Sequence, residues 1–302
     1  MIISTTAVAA ALILALSGCA AQPAAPSGTI VAVGAENQYT SVISQIGGRY
    51  VAASSVMSNP NTDPHSFEAS AQVAGEISAA ALVVQNGLGY DDFMTKIESA
   101  SSNPSRTIIT AQHVLGLPDS TRNPHLWYSP TTMPAVARSI AAALSKIQPG
   151  HRAYFEANLA AFDRSLGTWT TAIAAFKAAH PGVAVATTEP VADYLLEAAG
   201  TRNLTPWALQ AAIMNDTDPA PQDVAIQDSL FTGGRVKVFI YNRQVTDSIT
   251  SSYLKLAHDN HVPVVGVYET MPTDGFTYQS WMRAELTALE SAVTSGKSTA
   301  RL

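Results

Sequence analysis

Two series of short β-branched runs, separated by one long helical stripe, constrain this chain more than any other feature. The first series comprises residues 29–33, 50–56, 81–85 and 107–110; the second comprises 183–187, a weak run near Leu204, 236–241 and 262–267. Amphipathic stretches lie between the runs. Strands that alternate with helices form parallel sheets, because each crossover helix returns the chain to the start of the next strand. Between the two series, Phe155, Leu159, Phe162, Leu166, Trp169, Ile173 and Phe176 recur at steps of four and three, which places them on one helix face. The stripe runs from about residue 151 to 179 without proline, and Pro149-Gly150 and Pro181-Gly182 punctuate its ends. At 1.5 Å per residue such a helix extends roughly 40 Å. The expectation is an α/β protein of two lobes with parallel sheets, residues 29–148 and 182–302, joined by a long rigid helix over 149–181 that disfavours large hinge motion.

Composition narrows the chemistry. Of 302 residues, 47% are hydrophobic and 13% charged, so the chain buries a substantial core and is not a disordered polymer. Lys plus Arg number 17 against 23 Asp plus Glu, with no basic block, and a nucleic-acid partner is therefore not expected. The single cysteine excludes an intramolecular disulfide, a cysteine-rich zinc module and an iron–sulfur cluster. What remains is chemistry on histidines, carboxylates and hydroxyls.

That cysteine has an address-like context. The apolar run 7–16 is too short to span a bilayer as a helix and suits a signal-peptide core. It leads into Leu16-Ser17-Gly18-Cys19, which resembles the lipobox of bacterial lipoproteins, where the thiol receives diacylglycerol. Residues 1–18 are thus read as a lipoprotein signal peptide, Cys19 as the lipidation site, and the Ala-, Pro- and Ser-rich stretch 19–28 as a tether. The mature chain would be lipid-anchored on the outer face of the cell membrane. No Lys or Arg precedes Arg49, a departure from the positively charged start usual in signal peptides.

Two of the seven histidines stand apart. His65 lies in Asp63-Pro64-His65-Ser66-Phe67-Glu68 and His125 in Asn123-Pro124-His125-Leu126-Trp127. Proline fixes its own φ and pushes the preceding residue toward extended geometry, so an X-Pro-His loop presents its imidazole from a rigid base, as a metal site requires. The Asp or Asn before each proline is placed to bond the loop backbone or the ring nitrogen not used for metal. His113, His151 and His180 suit surface or helix-end roles, and His258 with His261 reads as a solvated helix terminus. Two neutral imidazoles leave a dication uncompensated, so carboxylates should complete the site. Glu189 follows the run 183–187 and Glu269 follows 262–267, and ligands of open α/β sheets collect beyond the carboxyl ends of strands. Asp274, in Pro272-Thr273-Asp274-Gly275, is the rival for the fourth position.

With these residues in view, nearly the whole mature chain resembles the zinc and manganese solute-binding lipoproteins of ABC importers. Asp63 to Glu68 resembles the family's first-ligand loop, Asn86-Gly87-Leu88-Gly89 its turn beside the site, and Asn123 to Trp127 its second-ligand loop. Thr188-Glu189, leading into Ala192-Asp193-Tyr194-Leu195, resembles the third-ligand segment. Manganese-type members place an Asp after the penultimate strand, where this chain has Tyr268-Glu269-Thr270; no His-rich loop of the kind found in many zinc members lies between Asn86 and His125. The resemblance implies His65, His125, Glu189 and Glu269 as ligands, with Asp63, Asn86 and Asn123 behind them. It implies Mn(II) or Zn(II) as the transported ligand, with manganese favoured by the oxygen donors. A membrane permease is the implied partner of a monomeric binding protein that is not an enzyme. A metallohydrolase is the main rival, but neither a His-Glu-x-x-His helix nor a Gly-x-Ser-x-Gly elbow is present. A surface adhesin with structural metal is a third reading.

Overall fold

The computed structural model describes residues 28–61, 67, 70–101, 103–272 and 275–302. The leader and tether, Cys19, Asp63, His65 and Asp274 lie outside the described residues. Among the described residues eight strands form two four-stranded sheets, every pair parallel. The first contains β1 (Ile30–Glu36), β2 (Val51–Met57), β3 (Leu82–Gln85) and β4 (Thr107–Thr110), in the order β2-β1-β3-β4. The second contains β5 (Ala184–Thr187), β6 (Arg202–Asn203), β7 (Val238–Asn242) and β8 (Val264–Val267), in the order β6-β5-β7-β8.

The two sheets therefore share one topology. In each, the chain leaves the first strand in one direction and then crosses to the other side, so the strand order reverses between β1 and β3 and again between β5 and β7. In open α/β sheets ligands bind beyond the carboxyl ends at such reversals. Strands covered on both faces need near-continuous apolar sequence. Leu82–Gln85 and Val238–Asn242 are buried at every position.

The aromatic stripe is buried along one face: Phe155, Phe162, Leu166, Trp169, Ile173 and Phe176 join the main core, and Leu159 packs against it. The stripe is carried by two helices, Arg152–Ser165 and Gly167–Ala179, and not by one. At the break the Ser165 hydroxyl donates to the Phe162 carbonyl at 2.6 Å, a local bond that competes with the helical ladder.

A second bridge between the sheets comes from the helix Tyr278–Ser295, which starts in a capping box formed by Thr277 and Ser280. Its first turn reaches the other lobe: the Tyr278 amide donates to Ser41 at 3.2 Å and the Tyr278 hydroxyl to the Trp127 carbonyl at 2.6 Å. Gln279 donates to Gln45 and Ser165. One apolar cluster runs from Ile30 and Val84 through Trp127, Trp169 and Trp281 to Val185 and Val265, so the core is continuous from sheet to sheet. Moving one sheet against the other would expose part of that surface, at about 25 cal/mol per Å².

Candidate metal centre

The carboxyl ends of both sheets converge on one buried polar region. β1 ends at Glu36, β3 leads into Asn86, β5 leads into Glu189, β7 ends at Asn242 and β8 leads into Glu269. Glu36, Asn86, His125 and Glu269 are fully buried, and Glu189 and Asn242 nearly so.

His125 is held from its own loop. Asn123 donates its amide Nδ2 to the Pro190 carbonyl at 2.8 Å, which turns its Oδ1 toward His125. That oxygen accepts from the His125 backbone amide at 3.0 Å and meets Nδ1 at 2.8 Å. An acceptor at Nδ1 assigns the ring proton there and leaves the Nε2 lone pair facing outward. Pro124 is fixed in turn, its carbonyl accepting from Asn86 Nδ2 at 2.8 Å. The Asn86 side chain is oriented by Tyr39, whose hydroxyl donates to Oδ1 at 2.7 Å.

His125 Nε2 faces Glu269 Oε2 at 3.2 Å, and the Tyr90 hydroxyl donates to the same oxygen at 3.0 Å. Glu269 Oε1 accepts from Asn242 Nδ2 at 2.8 Å, and the same amide nitrogen reaches Glu189 Oε1 at 2.9 Å. One amide thus joins the two carboxylates. The Glu269 backbone is equally constrained: its amide donates to Gln244 Oε1 at 2.7 Å and its carbonyl accepts from Gln38 at 3.1 Å.

Burial pushes the Glu36 carboxyl well above the ordinary range, and the neighbouring charges of Asp91 and Glu269 push it the same way. Asp91, which accepts from the backbone amides of Asn86 and Gly87, is raised by burial to about 7. The region is buried and rich in acidic oxygens, a setting in which a bound cation interacts far more strongly than in water.

Of the residues singled out from the sequence, the structure brings His125 and Glu269 into direct contact and links Glu189 to Glu269 through Asn242. Among the described residues, no three His, Cys, Asp or Glu side chains are gathered tightly enough to hold an ion by themselves. Tyr90, Asn242, Gln244 and Glu36 escaped the sequence reading. The strand-end rule that flagged Glu189 and Glu269 applies equally to Glu36 and Asn242.

The family model of ZnuA, described as zinc-uptake complex component A, periplasmic, matches residues 33–292. The chain belongs to this family. ZnuA-family proteins are metal-binding transport components and not enzymes, which removes the metallohydrolase alternative. Among relatives, the manganese-binding lipoprotein MntA of Bacillus subtilis is 26% identical over 160 residues, 50% of this chain and 52% of that protein. The chain spans about half the length of the curated relatives it matches. Among solved structures, the periplasmic zinc-binding protein TroA of Treponema pallidum aligns with a TM-score of 0.73 at 16% identity, covering 89% of this chain and all of that one. The Mn-bound periplasmic metal-binding protein of Candidatus Liberibacter asiaticus aligns with a TM-score of 0.72 at 19% identity, covering 88% of this chain and all of that one. At these identities the structures establish the shared fold. No helix among the described residues is long and apolar enough to cross a membrane.

Proposed function

We propose that this ZnuA-family chain captures a divalent cation, Mn(II) or Zn(II), between its two sheets and delivers it to the membrane permease of an ABC importer. The observation that carries the reading is the approach of His125 Nε2 to Glu269 Oε2 at 3.2 Å. With Nδ1 committed to Asn123, both facing atoms bear lone pairs, and a positive charge is what reconciles them. His65 and Glu189 complete the ligand set, with Asp274 as the alternative to Glu269. Two imidazoles and two carboxylates neutralise a dication and accept either tetrahedral zinc or manganese. The names of relatives that bind manganese or zinc support the same ion class. Asp63, Asn86 and Asn123 orient the ligands. The chain acts as a monomer, tethered outside the membrane through lipid on Cys19.

Metal analysis of the purified mature chain, followed by competition between Mn(II) and Zn(II), tests this reading. One exchangeable ion per chain is expected, with Glu189→Ala lowering the affinity. Retention of full affinity by that variant removes Glu189 from the site. A metal that never exchanges would favour the adhesin reading.

A further inference from the structure

Glu36 is the one fully buried carboxylate of the site whose two oxygens both lack a hydrogen-bond partner among the described residues. A buried carboxylate in that condition costs several kcal/mol, so it needs a reason to be there. Its position is set by the strip that follows it. Asn37 and Met271 bond reciprocally, side chain to backbone, at 2.8 and 3.1 Å, and Gln38 donates to the Glu269 carbonyl at 3.1 Å. Residues 36–38 therefore lie along residues 269–271, and the end of β1 is pressed against the segment that carries Glu269. The Tyr90 hydroxyl, which donates to Glu269 Oε2, is pushed well above its ordinary value by burial first and then by the charges of Glu269 and Glu36. The Glu36 carboxylate is thus buried against the segment that carries Glu269, and not exposed to solvent.

Resting on the reading of this region as a divalent-cation site, we propose that Glu36 is a further oxygen donor to the captured ion and biases the site toward Mn(II) over Zn(II). Zinc is satisfied by four donors in a tetrahedron, whereas manganese takes a larger set rich in oxygen. A third carboxylate is surplus for the first ion and a needed ligand for the second. It also leaves the loaded site with net negative charge, which suits a hard cation. No neighbouring amide claims the Glu36 oxygens, in contrast to Glu269, which is held by Tyr90 and Asn242, so Glu36 can turn onto an ion without giving up a hydrogen bond among the described residues.

The test compares Glu36→Gln with the wild type by chelator competition, using MnCl2 and ZnCl2 separately, together with thermal melting of both metal-free proteins. The expected result is a loss of Mn(II) affinity of about tenfold or more, as for removal of a group that supports a metal, against a much smaller loss for Zn(II). The metal-free variant should melt at or above the wild type, since a neutral amide replaces a carboxylate that is disfavoured by burial and by the charges of Asp91 and Glu269. An unchanged Mn/Zn ratio overturns the proposal, whether both affinities hold or both fall together. A metal-free variant that melts well below the wild type also overturns it, by making Glu36 a structural residue. Failure of the wild type to bind either ion is a separate outcome, seen before any variant is made, and sinks the cation reading together with this one.

Discussion

His125 and Glu269 stand 3.2 Å apart, Nε2 to Oε2, although the sequence separates them by 144 residues and His125 follows the last strand of the first sheet whereas Glu269 follows the last strand of the second. The contact spans the divide between the two halves of the chain, so an ion held there also joins them. Anything that binds the folded state alone stabilises it by mass action. The melting temperature should therefore rise with added Mn(II) or Zn(II) and return on chelation. Proton competition limits this: imidazoles must be neutral to bind metal, and their ordinary titration lies near pH 6.5. The metal-induced shift should shrink below about pH 6, and a shift of constant size from pH 7 to 5 would argue against histidine ligation.

Asn123→Ala tests whether the orientation of His125 matters apart from its presence. The substitution removes the acceptor at Nδ1 and the bond to the Pro190 carbonyl, while leaving the imidazole in place. Loss of such a supporting partner lowers metal affinity by about 10- to 100-fold. Chelator competition at pH 7.5 checks it, and an affinity within twofold of wild type would mean that the loop alone orients the ring.

Asn242→Leu removes the single amide that donates to both Glu189 and Glu269. Hydrogen bonds to charged groups contribute about 1.5–3 kcal/mol each, and the two carboxylates then lose their common donor. The metal-free variant should be destabilised by roughly that amount in urea unfolding. Saturating Zn(II) should narrow the gap, because the cation takes over the screening of the two charges. A gap of the same size with and without metal would place Asn242 in packing alone.

The strands were readable because parallel strands covered on both faces must be apolar along their length, as Val238–Asn242 largely is. The weak run near Leu204 proved to be the two-residue strand Arg202–Asn203, whose polar edge position gives little signal. Glu189 and Glu269 were singled out by their places after strands and His125 by the proline before it, whereas their convergence in one buried region depends on the tertiary fold. Tyr90 and Gln244 were not, since their partner Glu269 is 179 and 25 residues away and nothing local marks a phenol or amide that will meet it. The helix Tyr278–Ser295 is locally an ordinary amphipathic helix; only its contacts with Ser41, Trp127 and Gln45 show that it crosses back to the first lobe.

Gly34 in β1 is a position where space decides the residue. A Cβ there would lie 2.6 Å from the Thr40 backbone nitrogen and closer still to the Thr40 hydroxyl. The backbone of the helix Asn37–Gly47 cannot give way without moving Asn37 and Gln38, which hold Met271 and Glu269. Gly34→Ala should therefore cost about 1–3 kcal/mol of stability, as overpacking does, and weaken metal binding as well. Paired urea unfolding and chelator competition check both, and a variant with wild-type values in each would show that the strand end can yield.

Glu285 links stability to pH at a residue that is not among the proposed ligands. It is fully buried on the bridging helix, and its Oε1 accepts from Trp281 Nε1 at 2.9 Å and from the Tyr128 hydroxyl at 3.2 Å. Burial raises its carboxyl from the ordinary 4.5 to about 8, and those two donors only partly oppose the shift. Because the folded value lies above the unfolded one, the folded protein binds more protons between the two, and stability falls as pH rises through that interval. The contribution is fully present below about pH 4.5 and lost by about pH 8, and for a completely buried group it is on the order of a few kcal/mol. Glu285→Gln keeps an oxygen for Trp281 and Tyr128 but cannot ionise. Urea unfolding at pH 5, 7 and 9 should show the variant gaining on the wild type by a few kcal/mol from the lowest pH to the highest. A wild-type-minus-variant difference independent of pH would mean that Glu285 does not titrate in this range, and that the Trp281 and Tyr128 donors hold it ionised throughout.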